Sequence, residues 1–122
     1  MSVRYTHAGA RDGIRELIRE LGKSQNSGSG HNVSFYVHSM KWIHLVAAGC
    51  EPPRAMLIRP VNEFTVGYTT QVPCDAPAFD NRAEVVRTDK GQLYFRENGH
   101  IFATAEFARK LLNLVAETDP VL

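Results

Sequence analysis

Residues 63–72 read Glu63-Phe64-Thr65-Val66-Gly67-Tyr68-Thr69-Thr70-Gln71-Val72. Phe64, Val66, Tyr68, Thr70 and Val72 alternate with Glu63, Thr65, Gly67, Thr69 and Gln71, the period-2 pattern of a half-buried strand. That strand heads the C-terminal half of the chain. Asp89-Lys90-Gly91 and Asn98-Gly99 are turn signals dividing residues 84–88, 92–97 and 100–103 into a three-strand meander. Asn-Gly is the strongest short hairpin signal, because both residues tolerate the positive φ of a type I′ turn.

Beyond the meander, Phe107, Leu111, Leu114 and Val115 recur at helical spacing, with Ala108 and Leu112 widening the apolar face. Thr104 is positioned to cap this helix and Glu106 suits its first turn. Upstream, Ile14, Leu17, Ile18 and Leu21 form one stripe of a helix over about residues 10–21, with Asp12 as its cap and Gly22 as its stop.

Between that helix and the sheet, residues 23–32 contain Ser27-Gly28-Ser29-Gly30 and read as a flexible loop. The loop follows a helix and precedes the strand-like run Val33 to Val37, so its context is wrong for a phosphate-binding loop. Residues 39–49 are almost wholly apolar around Trp42, Ile43, Leu45 and Val46. They read as a buried helix capped by Ser39, although the β-branched and aromatic residues also suit a strand. Arg54 to Arg59 forms another strand, with Pro60 between it and the alternating run.

Together these elements predict an α+β fold: one two-layer domain spanning residues 1–122. Amphipathic N- and C-terminal helices pack on a largely antiparallel β-sheet of about five or six strands. The 122 residues suit one domain, with 43% hydrophobic and 22% charged residues.

A net charge of +1 supplies no global attraction for nucleic acid or an anionic membrane. Arg11, Arg15 and Arg19 recur every four residues, but the interleaved Asp12, Glu16 and Glu20 make that helix face a mixed, solvated one. Two cysteines, no apolar leader-like segment and no long apolar run fit a cytoplasmic protein with reduced thiols.

Catalytic signatures are missing. His7, His31, His38, His44 and His100 form no HxxxH or HExxH pair, and Cys50 and Cys74 no CxxC pair, so neither a metal nor another cofactor is expected. Cys74 beside Asp75 lacks the positive neighbour that would favour a thiolate. No GxSxG elbow is present.

The leading expectation is a small non-enzymatic binding protein, such as a regulator, inhibitor or immunity-type protein, acting on a protein partner through an open sheet face. Trp42, Arg54, Arg59, Tyr68, Arg87 and Arg96 are the candidate anchors, since Trp, Tyr and Arg concentrate interface energy. A free sheet edge would also permit a homodimer. The alternative is a small enzyme or ligand-binding domain, with a pocket between the sheet and the Ser/Gly loop near His38, His44, Cys74 and Asp75. Nucleic-acid binding through Arg87, Arg96 and Tyr94 ranks third.

Overall fold

The computed structural model describes residues 4–26, 33–38, 42–47, 54–69 and 81–117. In chain order these form β1 (Tyr5–His7), α1 (Ala10–Asn26), β2 (Val33–His38), β3 (Trp42–Ala47), β4 (Arg54–Asn62), β5 (Thr65–Thr69), β6 (Asn81–Thr88), β7 (Leu93–Glu97), β8 (His100–Ala103) and α2 (Thr104–Glu117). The strands make one antiparallel sheet ordered β2-β3-β4-β5-β6-β7-β8, and β1 pairs with β6. The α+β expectation holds, with eight strands rather than five or six.

Cross-strand register defines two faces. Val85, Phe95 and Phe102 lie opposite one another across β6, β7 and β8; Phe35, Leu45 and Met56 do so across β2, β3 and β4. These rows and Ile43, Ile58, Val66 and Tyr68 face the helices. They join Ile14, Leu17 and Leu21 of α1 and Phe107, Leu111 and Val115 of α2 in one core. Both helices therefore cover the same side, giving two layers. No helix among the described residues is long and apolar enough to cross a membrane.

β3 corrects the expected helix over residues 39–49. Ile43 and Leu45 are buried on the inner face while His44 and Val46 are partly buried on the outer one. β3 lies between β2 and β4, and its outer positions carry His44 and Val46 rather than charged residues, so in a short run it resembles a buried helix.

Four further expectations shift. β4 continues through Pro60, which is tolerated because the β4–β5 register slips between Pro60 and Asn62. The turn falls at Glu63-Phe64, where the Asn62 side chain accepts the Phe64 N–H at 2.9 Å. α1 runs through Gly22 to Asn26, so Gly22 does not stop it and residues 23–26 leave the expected loop. Asp12 is not its cap: Gly13 N–H donates to the Gly9 carbonyl, which places the cap at Gly9 and Asp12 within the first turn. Residues 27–32 and 70–80, with Cys74 and Asp75, lie outside the described residues, as does Cys50.

The β7–β8 hairpin is the expected one: Asn98 has φ 52° and Gly99 φ 80°, between the opposed residues Glu97 and His100. At the next junction Glu106 reaches back to the Ala103 N–H at 3.4 Å, half of a capping box. The Thr104 hydroxyl, expected as the cap, donates to the Leu93 carbonyl instead.

Gly13 sets how closely α1 approaches the sheet. A Cβ there would stand 2.7 Å from Val85 Cγ2 and 3.2 Å from Phe95 Cζ. Gly13→Ala would gain about 1 kcal/mol of helix propensity, but the clash meets branched and aromatic core groups with little room to yield. Overpacking costs about 1–3 kcal/mol, so a net loss of about 1 kcal/mol is expected. Urea unfolding checks it; an equally stable or stabilised variant would show that the helix moves away freely.

Candidate functional site: the outer face of the β1–β6–β7 sheet

The face turned from the helices carries a second, smaller layer of side chains. Register places His7 and Tyr94 opposite Val86, and Tyr5 opposite Thr88. Val86 is fully buried although it points away from the core, because flanking rings close over it. Tyr5 meets Tyr94 edge to face at 5.9 Å, and His7 stacks on Phe64 at 4.8 Å.

Local backbone bonds hold these rings in place. The Phe64 carbonyl accepts the Val85 N–H, the Val85 carbonyl accepts the Ala8 N–H, and the Glu63 carbonyl accepts the Ala10 N–H. The Glu63-Phe64 turn is thereby stitched both to β6 and to the start of α1. A three-residue strand such as β1, marginal by itself, gains its position from those bonds.

Glu84 is the electrostatic centre of the layer. Its carboxylate accepts from His7 Nε2 at 2.9 Å and from Arg96 Nη2 at 3.4 Å. The His7 hydrogen bond and then the Arg96 hydrogen bond hold its pKa below the ordinary carboxylate value, against a smaller opposing effect of burial. The folded pKa is depressed. Its stabilising contribution is therefore present above the unfolded carboxylate value and lost as pH falls through the folded one. Because Glu84 is 43% exposed and Arg96 35%, that contribution is small. His7→Gln and Arg96→Gln are each expected to raise the Glu84 pKa, which carboxyl-carbon NMR titration reads directly. An unmoved titration in both would remove Glu84 from this network.

Of the candidate anchors, Arg96 belongs to this layer. Arg59 is exposed on the same face of β4, opposite Gly67, which in turn opposes Arg82. Tyr68 is corrected: it points inward and is 2% exposed, so it serves the core and offers no surface contact. The alternation of residues 63–72 already places it with Val66 on the helix side. Arg87 sits at the opposite margin, bonded to Asp12 at 3.4 Å and to the Gly91 carbonyl at 3.3 Å, where it ties the β6–β7 turn to α1. Trp42 pairs with His38 and Arg54 with Ala47 in the backbone register; the side chains of all four lie outside the described ones.

Sequence reasoning missed Tyr5, His7, Phe64 and Glu84 as a group. Tyr5 and His7 do sit two apart, but three residues are too few for a period, and their partners come from distant parts of the chain.

The pocket expected near His38, His44, Cys74 and Asp75 has no described counterpart. His44 is partly buried on the outer face, opposite Leu57 and Tyr36. A groove of about 460 Å³ lies elsewhere, between α1, the β6–β7 turn and the start of α2. Asp12, Arg15, Glu16, Arg87, Leu93 and Thr104 line it. Its charges are of both signs, and Arg87 is already engaged with Asp12. Among the described residues, no three of His, Cys, Asp and Glu gather as a metal would require. No protein-family model, curated protein or solved structure matches the chain.

Proposed function

We propose that this chain is a small non-enzymatic binding protein of the regulator, inhibitor or immunity type, and that it meets a protein partner with the outer face of β1, β6 and β7. One observation carries the reading. Tyr5, His7, Tyr94 and Arg96 on paired strands and Phe64 in the adjoining turn form a partly exposed aromatic and cationic layer, on the side no described helix covers. Tyr and Arg bind well at protein interfaces because they offer large contact area and directed donors. Strand-mounted side chains lose little freedom on docking. The near-zero net charge and the Glu84 carboxylate within the layer favour a protein over a nucleic acid. Cytoplasmic residence belongs to the same reading, supported by the low cysteine content.

The test is a nuclease-treated affinity capture from the native cell, comparing the wild type with Tyr94→Ala/Arg96→Glu and with the α1 surface variant Arg11→Glu. The expected result is one stoichiometric protein, retained by Arg11→Glu and weakened about 30-fold or more by the double variant, as two interface anchors together predict. Equal capture by all three, or no partner for a well-folded wild type, would contradict the proposal.

A further inference from the structure

The outward positions of the described strands carry more cation than anion. Arg59 stands there on β4, Arg82 on β6 and Arg96 on β7, against the single carboxylate Glu84. Arg59 and Arg82 are exposed on either side of Gly67, and both have contacts of their own. Arg96 differs. Among the described residues it makes one hydrogen bond, to Glu84 Oε2 at a long 3.4 Å, and the same oxygen takes the shorter bond from His7 at 2.9 Å. The remaining guanidinium donors of Arg96 are uncommitted among the described residues, and the side chain can turn outward without stranding Glu84.

We infer that the protein segment docking on this face is acidic, with one of its carboxylates seated on the outer edge of the Arg96 guanidinium; this rests on the binding role proposed for the face. A guanidinium fork matches a carboxylate through two parallel N–H···O bonds, which a neutral amide cannot take up with equal strength. Tyr94 lies two residues along β7 and Ile101 lies opposite on β8, both partly buried, so the seat has an apolar margin. Such a margin strengthens a charged pair by keeping water from it.

Charge separates this occupant from its rivals. A cationic segment would meet the three arginines and a carboxylate that already accepts twice. A nucleic-acid backbone tracking from Arg82 to Arg96 would pass Glu84, which lies two residues from Arg82 and opposite Arg96. Its closely spaced phosphates would be repelled there, whereas one side-chain carboxylate reaches Arg96 alone. The α1 surface offers no comparable excess, because Arg11, Arg15 and Arg19 are interleaved with Asp12, Glu16 and Glu20.

Proton–nitrogen NMR titration of the full chain with capped peptides tests this: Leu-Asp-Phe-Asp-Leu, its Asn counterpart and its Lys counterpart. At about 20 mM salt, where surface charges are weakly screened, the acidic peptide should bind about fivefold or more tightly than the Asn peptide. It should shift the Arg96 side-chain signal and the β7 amides. The preference should be lost in Arg96→Gln and kept in the α1 surface variant Arg11→Gln. If Arg96→Gln folds poorly, the wild-type ranking and the map of shifted signals decide. Equal binding of the acidic and Asn peptides, tighter binding of the Lys peptide, or an acidic preference that folded Arg96→Gln retains would each overturn the inference. So would tighter binding of a thymidine oligonucleotide, or no shift at about 10 mM acidic peptide. A partner captured through the outer face that the acidic peptide fails to displace would overturn it as well, while leaving the wider binding role standing.

Discussion

Replacing Phe107 with alanine should lower the unfolding free energy by about 3–5 kcal/mol, the range for deleting a fully enclosed aromatic ring. Phe107 is 0% exposed and lies near the start of α2, on the helix-covered side of the sheet. Its ring stacks on Phe95 at 4.5 Å with an interplanar angle of 5°, and meets the edge of Tyr68 at 5.8 Å. Phe102 leans on it from β8. Truncation therefore empties a space bounded by three strands that are held in one sheet, so collapse is hindered and the cavity cost adds to the lost transfer energy. Phe107→Leu, which refills part of that space, should recover more than half of the loss. Urea denaturation measures both. A loss near 1 kcal/mol for alanine would mean that α2 closes down readily and that the aromatic group is not the centre of the core.

The second large effect is electrostatic. Glu97 is 6% exposed on the inner face, at the end of β7. It is satisfied by the Tyr68 hydroxyl, which donates to both carboxylate oxygens at 2.8 and 2.7 Å, and by Lys110 from α2. Burial first, then the hydrogen bond and charge of Glu97, raise the Tyr68 pKa well above the ordinary phenol range, so its hydroxyl stays a donor. The Lys110 ammonium also rests 4.9 Å from the Phe102 ring centroid. Lys110→Met keeps most of the aliphatic stem and strands the carboxylate. Removing one partner of a buried pair costs about 3–5 kcal/mol, and the one-third exposure of Lys110 brings the expectation to about 2–4 kcal/mol. Tyr68→Phe, deleting one neutral donor, should cost about 1–2 kcal/mol. If Lys110→Met proves neutral at pH 7, water reaches Glu97 and the pair is ornamental to stability.

These two sites also show which parts of the fold the sequence reveals. The α2 stripe that buries Phe107 is written in local spacing, and so are the Asn98-Gly99 turn and the β6–β8 meander, because each rests on contacts a few residues apart. The Tyr68–Glu97–Lys110 cluster is not legible that way: its members come from β5, β7 and α2 and meet only through the sheet order. Glu97 reads as a strand-end surface carboxylate until the helix is laid over it. Residues 42–47 mislead for a related reason. His44 and Val46 on the outer face of β3 break the polar alternation, and six residues are too few to tell its period from a helix.

The candidate site divides in the same manner. Placing Tyr94 and Phe95 on opposite faces follows from alternation, which puts Tyr94 outward and Phe95 in the core. Choosing Arg and Tyr by residue type brought in Arg96, but it also selected Tyr68, which the same alternation assigns to the interior. Gly13 carries the complementary lesson. It reads as a flaw in the first turn of α1, yet the close approach of Val85 and Phe95 leaves space only for hydrogen.

The role of the outer face is tested most directly by aromatic carbon–proton NMR spectra of the free protein and of its complex with the captured partner. Tyr5, His7, Phe64 and Tyr94 ring signals are predicted to shift or broaden on binding, while those of the enclosed Phe95 and Phe107 stay in place. Perturbation confined to residues on the exposed faces of α1 and α2, with the four outer rings unchanged, would contradict that role.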